Sequence, residues 1–258
     1  MSLLLRTTAL MLLVLSRAPA FAALPTGPSL SPELRPASQN QISAKRFKHS
    51  LSGLYGIQSS NSNVEQPVTD FDALYQQASI AQQELEAICS NAALLSNAET
   101  QFAGIKSRQR ALQKVEFELD GKAERITDLA RATIIADDVA SLVNAYEVLD
   151  QQTEIVKVKN RFKQPGASGY RDLNVLVRLP NSQIIAEVQL HLKSIAAVKN
   201  GEEHKIYEAI QRIERNAAQE GREINELEQQ RIVNMRNQSK DMYQQAWQPY
   251  ITTHIQAA

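Results

Sequence analysis

The stretch Leu173-Asn174-Val175-Leu176-Val177-Arg178-Leu179-Pro180-Asn181-Ser182-Gln183-Ile184-Ile185-Ala186-Glu187-Val188-Gln189-Leu190 decides the fold class. Two short runs rich in β-branched and other apolar residues flank Pro-Asn-Ser, a tight connection, so Leu173–Leu179 and Ile184–Leu190 are expected to form a hairpin. Working outward, Thr153–Val158 and Ile126–Ala136 read as two further strands, and Asp138–Leu149 as a helix between them. Upstream, Phe71, Leu74, Ala78, Ala81, Leu85 and Ile88 recur in steps of three and four after Asp70, the mark of a helix with one buried stripe. A second helix is expected over Glu99–Glu118, with Phe102, Ile105, Leu112 and Val115 inward. After Gly201 the pattern is helical again to about Trp247. Helices around a small mixed sheet make an α+β domain, placed at 69–250.

Composition narrows the function. The 258 residues carry 28 Lys+Arg and 28 Asp+Glu, so a generally basic nucleic-acid binder is excluded and no DNA partner is expected. One cysteine and four histidines exclude a disulfide framework and argue against a Cys/His zinc cluster. The N-terminus has Arg6, an apolar run Ala9–Leu15 and a small-residue end, Ala20-Phe21-Ala22, which describes a secretory signal peptide over 1–22. An exported, periplasmic or secreted chain without a membrane span after cleavage is the expectation. Residues 23–68, rich in Pro, Ser, Asn and Gln, read as a flexible leader.

Acids inside strand patterns need a reason. Asp128 interrupts one strand run and Glu187 another. By period two, Glu187, Gln189 and His191 share a face, as do Asp172 and Asn174. Were these strands neighbours, two carboxylates would lie close together, each raising the other's pKa unless a cation such as Mg²⁺, bound to nucleotide phosphates, sat between them. Solvated acids on an open sheet face are the plainer alternative. Lys106, Arg110 and Lys114, four apart, form a basic stripe, either a wet helix face or a phosphate cradle. The loop Lys163–Arg171, with Pro165, Gly166 and Gly169, lets backbone approach a ligand, and Tyr170 offers a ring.

Together these pieces resemble the synthetase domain of the RelA/SpoT family, particularly its short single-domain alarmone synthetases. Lys106-Ser107 with Lys114 is similar to the family's K-S-x-x-S-I-x-x-K helix, and Ile126-Thr127-Asp128-Leu129 to its I-x-D-[IL] strand. Gly169-Tyr170-Arg171-Asp172-Leu173-Asn174 resembles G-Y-x-S-L-H, Glu187-Val188-Gln189-Leu190 resembles E-[IV]-Q-[IL], and Glu203-His204-Lys205-Ile206 resembles E-H-x-I. The motifs run in order from about Gln101 to Ile213.

The resemblance implies a nucleotidyltransferase-like fold and a Mg²⁺-dependent pyrophosphokinase that moves pyrophosphate from ATP to the 3′-hydroxyl of GDP, GTP or another nucleotide. It makes Asp128 and Glu187 the catalytic and metal-binding acids and Tyr170 the base-stacking ring. Lys106, Arg110, Lys114, Arg131, Lys163, Asn174, Gln189 and His204 join the nucleotide-binding set. Ser-to-Asp at Asp172, His-to-Asn at Asn174, Arg-to-His at His191 and Arg-to-Thr at Thr133 depart from the pattern and lower the positive potential. An exported nucleotide enzyme meets little ATP outside a cell, a difficulty that delivery as a toxin into another cell removes. Two further readings stand beside it, a non-catalytic nucleotide-binding module and a helical scaffold without a site. Short family members also assemble, which suggests a homo-oligomer through the long C-terminal helix.

Overall fold

Asp70 accepts a hydrogen bond from the Ala73 amide and so caps the first long helix. In the computed structural model, which describes residues 39–60 and 62–252, that helix is the third. Helices α1 (Gln39–Lys48) and α2 (Leu51–Gly56) precede α3 (Phe71–Ser96), and strand β1 (Ala98–Phe102), helix α4 (Arg108–Glu118) and β2 (Arg131–Ala136) follow. Next come α5 (Val139–Gln152), β3 (Glu154–Asn160), β4 (Leu173–Arg178) and β5 (Ile185–Leu192), then α6 (Lys193–Asn200), α7 (Glu202–Gln219) and α8 (Glu226–Thr252). The expected signal peptide and residues 23–38 lie outside the described residues. No helix among the described residues is long and apolar enough to cross a membrane.

The sheet runs β1-β2-β5-β4-β3, with β2 and β5 parallel and every other pair antiparallel. Register sorts its two faces. Ala132, Ile134 and Ala136 align with Val188, Leu190 and Leu192, and Val175 and Val177 with Val188 and Ala186. All are buried, beneath Leu74, Ala78, Ala81 and Leu85 of α3 and Leu142, Ala145 and Leu149 of α5. The opposite face carries the polar residues, so alternation along each strand divides core from site. The hairpin of β4 and β5 forms as expected, and the Glu84 carboxylate accepts from the Asn181 and Ser182 amides to fix its turn.

Several expectations are corrected. The segment Glu99–Phe102 is an edge strand rather than the start of a helix. Asn97 ends α3 in the left-handed conformation, and pairing with β2 then outweighs the helical spacing. Phe102 and Leu112, expected inside, are each 37% exposed, while Ala111 and Val115 are buried. Asp128 stands in the loop before β2, not within a strand. The helical pattern after Gly201 is two helices rather than one, since Gly221 at φ +64° follows the end of α7 and Asn225 opens α8 with a reciprocal bond pair to Glu228.

A further correction concerns residues 51–60 and 62–68, which pack rather than trail. Leu54 is fully buried. Ser60 Oγ and Ser59 Oγ accept from the Val158 and Asn160 amides, and Asn160 Nδ2 donates to the Leu54 and Ile57 carbonyls. Gln66 is buried and bonds the Ile185 amide and carbonyl as a strand neighbour would. The segment thereby occupies backbone groups along β3 and at the start of β5.

Gly169 adopts φ +79°, and a β-carbon there would lie 3.0 Å from the Lys240 Cα. Gly169→Ala should therefore destabilise the domain by at least about 1–2 kcal/mol, the cost of the left-handed backbone before the Lys240 contact is added, and a thermal melt should register a drop of a few degrees or more.

Candidate functional site

The uncovered sheet face gathers side chains from four strands. Register places Arg131 beside Glu187 and Thr133 beside Gln189, with Gln101 opposite Thr133 and Asn174 opposite Gln189. With Ala103, Ala132 and Lys199 of α6, the first five of these line a cleft of about 220 Å³. Glu187 is held on both oxygens: Asn174 Nδ2 donates to Oε1 at 2.7 Å and Gln189 Nε2 to Oε2 at 3.5 Å. Lys199 Nζ in turn donates to Gln189 Oε1 at 2.7 Å. Asn174 and Gln189 thus fix a carboxylate at the cleft wall through neutral amides.

A second group forms at the entrance to β2. Asp128 Oδ2 accepts from both Lys106 Nζ (2.8 Å) and Lys114 Nζ (2.9 Å). Burial alone would raise the Asp128 pKa, but the Lys114 charge and the bonds from both lysines outweigh it and hold the group below its ordinary value. Its other oxygen, Oδ1, is buried and has no partner. Lys106 lies ahead of α4 rather than on it, yet its backbone is pinned by the Leu129 carbonyl and the Tyr75 hydroxyl, so it still meets Lys114. The loop is tied to β5 where the Glu187 amide donates to the Ala130 carbonyl. The expected mutual elevation of two carboxylates is not what the structure gives for Asp128, because two ammonium groups sit on it instead.

The third group is buried beside the first. Asp172, fully buried, accepts from Arg161 at 2.6 Å and from the Tyr170 hydroxyl at 2.9 Å. The same hydroxyl lies 2.6 Å from His191 Nε2. A tyrosine has one proton to give, so with Asp172 taking it, Nε2 carries hydrogen and donates to the Tyr170 oxygen. Burial, then the nearby Lys199 and Arg161 charges, pushes the His191 pKa well down, which keeps the imidazole neutral. Burial raises the Asp172 pKa despite Arg161. Tyr170 is no open stacking ring: Arg161 lies over it at 5.6 Å, and His191 and Tyr243 meet it edgewise. Behind it, Tyr243 donates to buried Glu203, and Trp247 packs against Phe162 and under Arg171.

The remaining candidates stand apart. Arg110 and Lys163 are exposed, and exposed His204 pairs with Glu208 and stacks on Tyr207. None of the three lines the cleft. Sequence reasoning missed Lys199, Gln101 and Arg161. Only the sheet register and the position of α6 bring them to this face, and no spacing in the chain announces it.

No family model matches the chain. It is 27% identical over 134 residues to the (p)ppApp synthetase toxin Tas1 of Pseudomonas aeruginosa (strain UCBPP-PA14), a match over 52% of this chain and 29% of that protein. It is 32% identical over 91 residues to the GTP pyrophosphokinase YwaC of Bacillus subtilis (strain 168), covering 33% and 43%. The matched stretch is thus less than half the length of either relative. In fold it is similar to the type VI effector Tas1, solved in complex with its immunity protein, with a TM-score of 0.52 and 21% identity over 69% of this chain and 96% of that one. Small alarmone synthetase 2 from Bacillus subtilis gives a TM-score of 0.51 at 21% identity over 69% and 92%. The RelA/SpoT-type resemblance carried by five short motifs therefore holds in the folded chain: the described domain has the fold of the small alarmone synthetases, and its sequence is similar to a (p)ppApp synthetase and a GTP pyrophosphokinase.

Proposed function

We propose that the chain is a pyrophosphokinase that transfers pyrophosphate from ATP to the 3′-hydroxyl of GDP, GTP or another purine nucleotide. The observation that carries this reading is Asp128, bracketed by Lys106 and Lys114 on one oxygen while the other is buried and unpartnered. A desolvated carboxylate oxygen without a donor costs roughly 1–3 kcal/mol, a cost sustained where that oxygen has a ligand to bind.

That oxygen suits a hard cation. Asp128 and Glu187 would hold Mg²⁺, which supplies neutralisation of polyphosphate charge. Among the described residues no cluster of three or more His, Cys, Asp or Glu could hold a metal, and Mg²⁺ needs none, since one or two carboxylates plus substrate phosphates suffice. Lys106 and Lys114 turn from Asp128 to phosphoryl oxygens. Glu187, held by Asn174 and Gln189, accepts the proton of the 3′-hydroxyl as that oxygen bonds to the β-phosphorus of ATP. The bond from the β-phosphorus to the bridging oxygen breaks, and AMP leaves with the electron pair.

Export and use as a toxin belong to the same reading. Their support is the N-terminal pattern and the similarity to a toxin. A non-catalytic nucleotide-binding module is the second reading, favoured by the two lysines already engaged on Asp128 and by Thr133 and Asn174 where cationic or imidazole side chains were expected. The test is incubation with labelled ATP, Mg²⁺ and each nucleoside phosphate, followed by separation of products. Labelled 3′-pyrophosphorylated nucleotide supports the enzyme. Nucleotide binding without product from any acceptor supports the module.

A further inference from the structure

The cleft holds two cations and one acid. Glu187 has both oxygens engaged, and Thr133 brings no charge. Arg131 is clamped by its backbone, its amide donating to Gln82 Oε1 and its carbonyl accepting from Gln82 Nε2, while its side-chain Nε is buried without a partner. Lys199 reaches the same cleft from α6. Its ammonium donates to one neutral acceptor, Gln189 Oε1, and among the described residues forms no ion pair. An ammonium has three donors, and desolvating one beside an arginine with no carboxylate in direct contact is costly. Burial accordingly depresses the Lys199 pKa, with Arg131 and Arg161 adding to that effect and Asp172 and Glu187 opposing it. Two half-buried cations with donors left over make a receptor for a dianionic group.

We propose that Lys199 and Arg131 together grip one phosphoryl group of the bound nucleotide, with the Gln189 amide holding the ammonium ready for it. This rests on the reading of the sheet face as a phosphoryl-transfer site. It adds a binding residue from a helix outside every motif of the sequence. Gln189 then has two contacts to maintain, orienting both Glu187 and Lys199.

Calorimetric titration of the full chain with inorganic tripolyphosphate tests this without requiring turnover. Lys199→Met should weaken binding by about ten- to a hundredfold, the loss of one charge-assisted contact. Lys199→Arg should stay within a few-fold of the parent, and Lys205→Met, which removes an exposed charge from α7, should change nothing. If Lys199→Met melts lower than the parent, Lys199→Gln, which keeps a donor without charge, must show the same loss. Equal binding by parent and Lys199→Met, no binding by the parent, or equal losses from Lys199→Met and Lys205→Met would each overturn the proposal. The enzymatic reading fails separately: a parent that makes no labelled product, while Lys199→Met loses tripolyphosphate, sinks the activity and sustains the anion grip.

Discussion

Asp128→Asn should reduce pyrophosphoryl transfer by roughly 10²–10³-fold or more, the scale of removing one aimed electrostatic group from a reacting centre. Asn preserves the shape of the side chain and removes the charge that Lys106 and Lys114 share at 2.8 and 2.9 Å. Those lysine side chains are 14% and 26% exposed, so their ammonium groups lose a partner in a half-dry setting and turn toward solvent or phosphate. Labelled-product formation measures the first effect. Acid titration of stability measures a second. Because the native pKa of Asp128 lies below its ordinary 3.8, the carboxylate contributes stability in full above that value and loses it as pH falls through the native value. The Asn variant should lack that part of the acid limb. A variant with parental product yield would remove the main support for the proposed activity.

The second large effect is expected at Asp172. Asp172→Ala leaves Arg161 and the Tyr170 hydroxyl without their shared acceptor, and frees the hydroxyl on which His191 Nε2 rests. Breaking a buried pair by removing one partner costs about 3–5 kcal/mol, and the lower end applies because Arg161 is 29% exposed and reaches water. The melting temperature should fall by about 10 °C. Asp172→Asn retains one acceptor oxygen and should lose less. The raised pKa adds a sign: protonating Asp172 relieves its burial, so its contribution to stability is full below the ordinary value and declines as pH rises through the native one. An Asp172→Ala protein melting with the parent would show that the network is not holding the loop.

The hairpin, α3 and α5 were legible because their signals are local. Asp70 and Asp138 cap helices whose apolar stripes repeat at helical spacing, and Pro180-Asn181-Ser182 turns the chain between two apolar runs. Strand β1 was not, since Glu99-Thr100-Gln101-Phe102 acquires its conformation from β2, a partner some thirty residues away in sequence. Ser59, Ser60, Ser62 and Gln66 look like parts of a polar leader because their contribution is polar: serine and glutamine side chains that finish backbone hydrogen bonds rather than fill a core. Asp128, Glu187 and the two lysines were identifiable by motif, but their grouping was only half legible. The sequence suggests acid against acid, whereas the fold sets Asp128 against two lysines and Glu187 against two amides.

Helix α8 presses Tyr243 against Tyr170 and Trp247 against Phe162, and its Lys240 backbone abuts Gly169. The loop on the sheet's rim is thus buttressed by a segment synthesised well after it. During translation the strands and their acids emerge first, and the wall that steadies Tyr170 arrives only once α8 has left the ribosome. A chain interrupted before that point would retain the pieces of a site without the scaffold that holds its rim in place.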